Sequence, residues 1–298
     1  MPQPKYTVIG TPFSTFTRTI TLALHYKSIP HTQVPVFPHS PGADAAHPFG
    51  IIPTLLIQSH SDADAGDGDA HAENAHTIKL RETQAIIRYI DRIAHEPTLH
   101  FHPAPAQPED ADADAGMIEE KMWEYVSFVA SYGMSYLVSP RFAFRRPHFL
   151  PSFLPSLPSH PTGFPTIEHG LVKPRLKHLA SGLSPSAITP LLTPNLPALA
   201  NFLDITAQCL PSPPSHPTPP FLFAPHPTYA DFHLFPILAD LRPTPEWAAL
   251  LAHPLGPRLE RWMESMDALE CVRRTREGTV SAGVGLEVAG GKAAAGGA

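Results

Sequence analysis

The chain has 298 residues, 21 Lys and Arg against 27 Asp and Glu for a formal charge of −6, and 43% hydrophobic residues. That apolar fraction supports a sizeable core in one large or two ordinary domains, which excludes wholesale disorder even with 38 prolines. The acidic balance offers no basic stripe for nucleic acid, no apolar run reaches a bilayer span, and two cysteines, Cys209 and Cys271, cannot build a disulfide framework or a zinc cluster.

Both cysteines are expected as buried small hydrophobes. The N-terminus, Met-Pro-Gln-Pro-Lys, lacks the apolar core of a signal peptide, so a cytoplasmic location is the expectation, with neither nucleic acid nor membrane as partner.

Up to about Ala94 short β-rich runs alternate with helical periodicity, as in a βαβ-type unit. Tyr6 to Ile9 reads as a strand, and Phe16 to Lys27 as a helix with Ser14 and Thr15 as competent N-caps. Gln33 to Val36 reads as a second strand, with Ile52 to Ile57 and Thr77 to Leu80 as further extended runs. Between these last two, residues 59–76 are rich in Ser, Asp, Ala, Gly and His and read as a disordered insertion. Ile86, Ile87, Ile90 and Ile93 repeat with helical spacing over Gln84 to Ile93. The first domain is therefore expected to span residues 1–95, and the Pro- and Asp-rich stretch 96–116 to be a linker.

Beyond Met117 the strand signal vanishes. Helical segments are expected at Met117 to Leu137, Thr166 to Leu179, Leu196 to Leu210, Tyr229 to Leu241 and Pro257 to Arg274, forming an all-helical domain over 117–276. The loops Pro140 to Pro165 and Pro211 to Pro227 carry seven and eight prolines, too many for a helix interior. The Gly/Ala-rich end, 277–298, reads as a disordered tail.

Three clusters carry possible chemistry. In His47-Pro48-Phe49-Gly50-Ile51-Ile52-Pro53-Thr54-Leu55 a glycine turn leads to a proline at the mouth of an apolar strand; Pro53 either initiates the strand or forms a cis bond that turns a backbone edge outward. Glu82-Thr83 opens a helix, where unpaired N–H groups and the macrodipole favour a carboxylate. The Thr83 hydroxyl and two N–H groups can hold one while Glu82 takes an ammonium group, a pairing suited to an α-amino acid head, although an acidic residue and a cap at a helix start need no ligand. Thr11 to Arg18 joins the first strand to the first helix; there the Ser14 hydroxyl can donate to an anionic sulfur or simply cap the helix.

The order and spacing of these clusters closely resemble the thioredoxin-like N-terminal domain of cytosolic glutathione S-transferases: Ser14 to Leu24, Pro48 to Leu55, and Leu80-Arg81-Glu82-Thr83-Gln84-Ala85-Ile86-Ile87-Arg88-Tyr89-Ile90. In the helical half, Phe221 to Phe232, with Thr228 and Asp231 spaced as a capping box, is similar to that family's entry into its central C-terminal helix. His253 to Met263 resembles the family's last long helix.

The resemblance implies an α/β thioredoxin-like domain followed by an all-helical domain, glutathione as co-substrate, and conjugation of its thiolate to a small hydrophobic electrophile, a detoxifying chemistry. It implies that Ser14 faces the glutathione sulfur, that Ile52 binds the cysteinyl backbone with Pro53 as cis proline, and that Glu82 and Thr83 hold the γ-glutamyl amine and carboxylate. Serine rather than cysteine at position 14 disfavours a mixed disulfide there and favours thiolate stabilisation. The electrophile is expected between the domains, near Phe13, Phe16, Trp123, Phe128, Tyr132 and Met134, with the Pro140 to Pro165 insertion as a possible cover. A homodimer is implied by resemblance only.

Two departures stand out. Val36 to Ala46 contains no Lys, Arg or Gln for the glycyl carboxylate, leaving His39 or His47 as substitutes, and Thr83 stands where the family usually has Ser. A metal is not expected, because His100, His102 and the other histidines form no ligand set at fixed spacing. The basic group Arg141, Arg145 and Arg146 is a weak anion-site candidate. The alternatives are a glutathione-dependent isomerase or lyase and a non-catalytic interaction scaffold of the same fold.

Overall fold

The computed structural model describes residues 4–58, 77–100, 117–130, 163–211 and 220–286. The insertion at 59–76, the linker beyond His100, the helix end after Ala130, most of the Pro140 to Pro165 loop with its three arginines, and the last twelve residues lie outside the described residues.

A four-stranded sheet of order β2-β1-β3-β4 is built from β1 (Lys5–Ile9), β2 (His31–Val34), β3 (Thr54–Gln58) and β4 (Thr77–Arg81). β1 and β2 are parallel, and β3 runs antiparallel to both β1 and β4. β2 lies two residues earlier than the hydrophobic run suggested. Pro35 has no N–H for the ladder, so pairing ends at Ile9 with Val34. β3 likewise starts at Thr54, after Pro53, leaving the Ile52 backbone outside both ladders.

Helices α1 (Thr15–Tyr26), α2 (Pro41–Ala46) and α3 (Thr83–Ile93) complete a thioredoxin-like domain. Ser14 caps α1, its Oγ accepting from Thr17 N–H at 3.3 Å. The short α2, unforeseen within a loop, has a Ser40 cap followed by Pro41 at its first position, a start signal that was legible.

The second domain is helical: α4 (Ile118–Ala130), a π-helix (Pro165–Val172) running into α5 (Lys173–Ala180), α6 (Pro185–Leu192), α7 (Leu196–Cys209), α8 (Tyr229–Leu241), α9 (Trp247–Leu251), α10 (Gly256–Asp267) and α11 (Glu270–Arg274). Every residue of α8 is buried, and α1, α4 and α10 pack around it. The domains thus share one core. Tyr26 meets Phe232 edge-on at 5.4 Å, and the Thr19 hydroxyl donates to the Phe232 carbonyl at 3.0 Å.

The capping box at the start of α8 is present: Thr228 N–H donates to the Asp231 carboxylate at 2.7 Å. Asp231 also accepts from Leu222 N–H, the Thr228 hydroxyl and Trp262 Nε1, at 2.9, 2.6 and 2.7 Å.

Three expectations are corrected. The single helix Thr166 to Leu179 is a π-helix followed by an α-helix. Pro174 has no N–H for the Gly170 carbonyl, which instead accepts from Asn195 Nδ2 at 2.7 Å. The single helix Pro257 to Arg274 breaks at Leu269, whose extended backbone lets α11 turn onto α1. The tail does not begin at Glu277: residues 277–286 pack on the body, with Val280 2% exposed and Ser281 N–H donating to Asp240 Oδ1 at 3.1 Å. Cys271 is buried, whereas Cys209 is half-buried. Among the described residues no helix is long and apolar enough to cross a membrane.

Candidate functional site

The β4–α3 junction has a single residue, Glu82, between Arg81 and Thr83, and the reversal forces its φ to +67°. A left-handed backbone costs a non-glycine residue about 1–3 kcal/mol. A glycine would relieve that cost, so the carboxylate is the reason to look for a role. Among the described residues no side chain caps α3, which leaves its first-turn N–H groups without an intrahelical partner beside the exposed Glu82.

Across from this helix start, the Ile52–Pro53 bond is cis and Gly50 makes the preceding turn at φ +60°. A Cβ on Gly50 would sit 2.2 Å from Asp44 Oδ1, so a side chain here would displace Asp44 and strain the left-handed backbone. A cavity of about 550 Å³ opens between these two elements, and Ile52, Pro53, Glu82 and Thr83 line it together with Phe16 and His47. Residues thirty apart in sequence meet here because β3 and β4 are ladder neighbours, Thr54 opposite Arg81.

His47 is 3% exposed, and its Nδ1 accepts from Phe49 N–H at 3.1 Å, which assigns the proton of the neutral ring to Nε2. Burial pushes its pKa down, against the pull of the Glu82 carboxylate, so the ring is neutral near pH 7. His39 adopts φ +58° and does not line the cavity.

Ser14 does not line the cavity either. It is half-buried at the head of α1, where the cap uses an oxygen lone pair and leaves its hydroxyl proton available. Among the proposed electrophile contacts, Phe16 lines the cavity and stacks on Phe164 at 4.5 Å, while Phe13 packs partly buried against the core. Phe128 stacks on Phe202 at 5.3 Å and Trp123 packs on Tyr229 at 4.6 Å, so both are packing residues and line no part of this cavity. Tyr132 and Met134 lie outside the described residues.

Sequence reasoning missed Gln84 and Arg88, which also line the cavity one helical turn apart on α3. The i, i+4 spacing from Gln84 was the available signal. Among the described residues, no group of three or more His, Cys, Asp or Glu is placed to hold a metal ion.

Residues 13–93 match the N-terminal domain of glutathione S-transferase, and residues 190–265 match that family's C-terminal domain. The chain belongs to the glutathione S-transferase family. Its fold is similar to that of glutathione transferase F7 from Populus trichocarpa, at 19% identity and a TM-score of 0.54, covering 92% of this chain and 98% of that one. It is also similar to the theta class glutathione S-transferase from the citrus canker pathogen Xanthomonas axonopodis pv. citri, solved with glutathione bound, at 16% identity and a TM-score of 0.51, covering 92% and 97%. A third likeness is to rice GST1 in complex with glutathione, at 14% identity and a TM-score of 0.51, covering 92% and 91%. No curated protein sequence matches the chain.

Proposed function

We propose that this protein binds glutathione in the cavity between the Ile52–Pro53 turn and the start of α3, and conjugates its thiolate to a small hydrophobic electrophile. The observation that carries the reading is the joint lining of one cavity by Ile52, Pro53, Glu82 and Thr83. Glu82 would take the γ-glutamyl ammonium group, while the Thr83 hydroxyl and the uncapped N–H groups of α3 take its carboxylate. The Ile52 backbone, outside both ladders, is free to pair with the cysteinyl residue as a short strand would. Two structural relatives solved with glutathione support the same co-substrate.

Ser14 is assigned the thiol. Its hydroxyl proton donates to the sulfur while its oxygen caps α1, and the positive end of that helix stabilises the thiolate. The thiolate attacks an electrophilic carbon, the new S–C bond forming as the leaving group departs or as the electrons move onto an adjacent acceptor. Phe16 offers an apolar wall for the electrophile. A cytoplasmic homodimer is part of the reading by family resemblance.

A second reading, a glutathione-binding module without conjugating activity, is favoured by one observation: Ser14 lies outside the cavity lining. Calorimetric titration with glutathione, followed by an assay for loss of free thiol with electrophiles, tests both. Binding with thiol consumption supports the transferase, binding without consumption of thiol supports the module or a glutathione-recycling isomerase, and no binding overturns all three.

A further inference from the structure

A second cavity, of about 370 Å³, opens at the C-terminal end of α3, and Arg88, Arg92, His95, Glu96 and Thr98 are on its lining. We propose that it binds a small soluble phosphate monoester whose organic body carries hydroxyl groups, with Arg88 and Arg92 as the phosphate clamp. This inference is independent of the glutathione reading.

The two arginines sit four residues apart and so project from one face of the helix. Each is oriented by an aromatic ring: the Arg88 guanidinium lies 3.9 Å over Trp123, and that of Arg92 5.6 Å from the Tyr89 centroid. A cation–π contact restrains each guanidinium, closely for Arg88 and more loosely for Arg92, without using its N–H groups. Neither guanidinium donates a hydrogen bond to another described residue, and both side chains belong to exposed residues. Two forks one turn apart suit a tetrahedral dianion, whose three terminal oxygens can be shared between them, better than a planar carboxylate with two.

The Asp91 carboxylate, which also borders the cavity, is already matched. Lys27 pairs with Asp91 and donates to the Ala94 carbonyl at 2.7 Å, which answers both the buried carboxylate and the negative end of α3. His100 bridges Asp91 and Glu119 at 2.8 and 2.9 Å. Arg88 and Arg92 therefore face only Glu96 as an uncompensated anion on the lining, a surplus of one positive charge. Glu96 accepts from Thr98 N–H through Oε2, leaving Oε1 for a ligand hydroxyl, and the Thr98 hydroxyl, which accepts from His100 N–H at 3.1 Å, keeps its proton to donate. The volume exceeds that of a phosphate group alone, which leaves room for the hydroxyl-bearing body.

Arg88 also borders the larger cavity, so Arg92, which lines only this one, carries the test. The full chain and Arg92→Gln are titrated calorimetrically with glycerol 3-phosphate, inorganic phosphate and glycerol, with a thermal melt to establish that the variant is folded. Saturable binding of glycerol 3-phosphate at millimolar concentration or below, tighter than that of inorganic phosphate and weakened about tenfold or more in Arg92→Gln, is expected; glycerol should give no signal. No saturable binding by the natural chain, or equal binding by the variant, overturns the site. Equal affinity for inorganic phosphate and the ester overturns the hydroxyl-bearing body. Arg92-dependent cosedimentation with phosphatidic acid vesicles, without binding of glycerol 3-phosphate, overturns the soluble ester in favour of a lipid headgroup.

Discussion

Arg18 Nη1 donates to Ser281 Oγ at 2.9 Å, joining the first helix to a residue 263 positions later. The guanidinium belongs to a residue only 2% exposed, lies 5.1 Å from the Phe235 centroid, and has no partner for its Nε among the described residues. Ser281 also donates its N–H to Asp240, and Gly278 lies against Pro12, so the C-terminal segment braces the loop that leads to Ser14.

Ser281→Ala removes the Arg18 acceptor and leaves a second buried cationic donor unpaired. A loss of about 1–3 kcal/mol in unfolding free energy is expected in urea denaturation. A change within ~0.5 kcal/mol, the range of an ordinary surface substitution, would show that the segment does not hold the helix.

Stability should fall as pH rises from 6.5 to about 8. Burial pushes the Asp240 carboxyl up to about 7, against the pull of Arg18, and burial with the Asp240 charge pushes Glu168 up to about 8. A raised folded-state pKa means that the native chain holds protons the unfolded chain has released, so this contribution disappears as pH passes through 7 and 8. The buried His233 and the solvent-exposed His169 are pushed down to about 4 and act oppositely, but only below their ordinary value of 6.5. Thermal melts across this window check the slope, and Asp240→Asn should flatten it; a melting temperature that rises from pH 6.5 to 8 contradicts the assignment.

Asp231→Ala strands four donors at once, those of Leu222, Trp262 and two from Thr228. The expected cost is ~3 kcal/mol or more, against about 1–3 kcal/mol for Trp262→Phe, which removes one donor and keeps most of the ring. Similar losses for the two variants in chemical denaturation would mean that the ring's packing, not the carboxylate network, holds α8.

Arg175 forms a buried, two-pronged ion pair with Glu246, its Nε donating at 2.8 Å. Glu246→Ala leaves that charge unpaired and should cost roughly 3–5 kcal/mol, while the double replacement Arg175→Met with Glu246→Leu should recover much of it. A double variant less stable than Glu246→Ala would refute this accounting.

Glutathione affinity should fall about tenfold or more in Glu82→Ala and in Thr83→Ala, each of which removes a polar partner of the α-amino acid head. Ser14→Ala should largely spare affinity, reduce the thiolate fraction of the bound tripeptide as read by ultraviolet difference absorbance, and cost about 0.5–2 kcal/mol through loss of the α1 cap. Retained affinity in Glu82→Ala would place glutathione elsewhere.

Local rules made much of this fold legible. The isoleucine spacing of α3, the apolar periodicity of α7 and α8, and the Thr228–Asp231 capping pair depend on residues within a turn or two, where helix geometry makes sequence distance equal to spatial distance. Proline acts as locally: Pro35 and Pro53 bound their strands because neither offers an N–H. The family pattern around Ile52, Pro53, Glu82 and Thr83 was also readable, since one ladder brings its two halves together.

What the sequence by itself determined was therefore the order of elements, the two-domain class and the residues to examine. Tertiary structure decided which of them meet. Ser14 falls outside the cavity its motif suggested, Arg88 and Gln84 come into it, Asn195 rescues the carbonyl that Pro174 abandons, and the Gly-rich segment after Glu277 packs down. Each of these depends on how distant elements pack together, and no periodicity along the chain records which partner a buried donor or carboxylate will find.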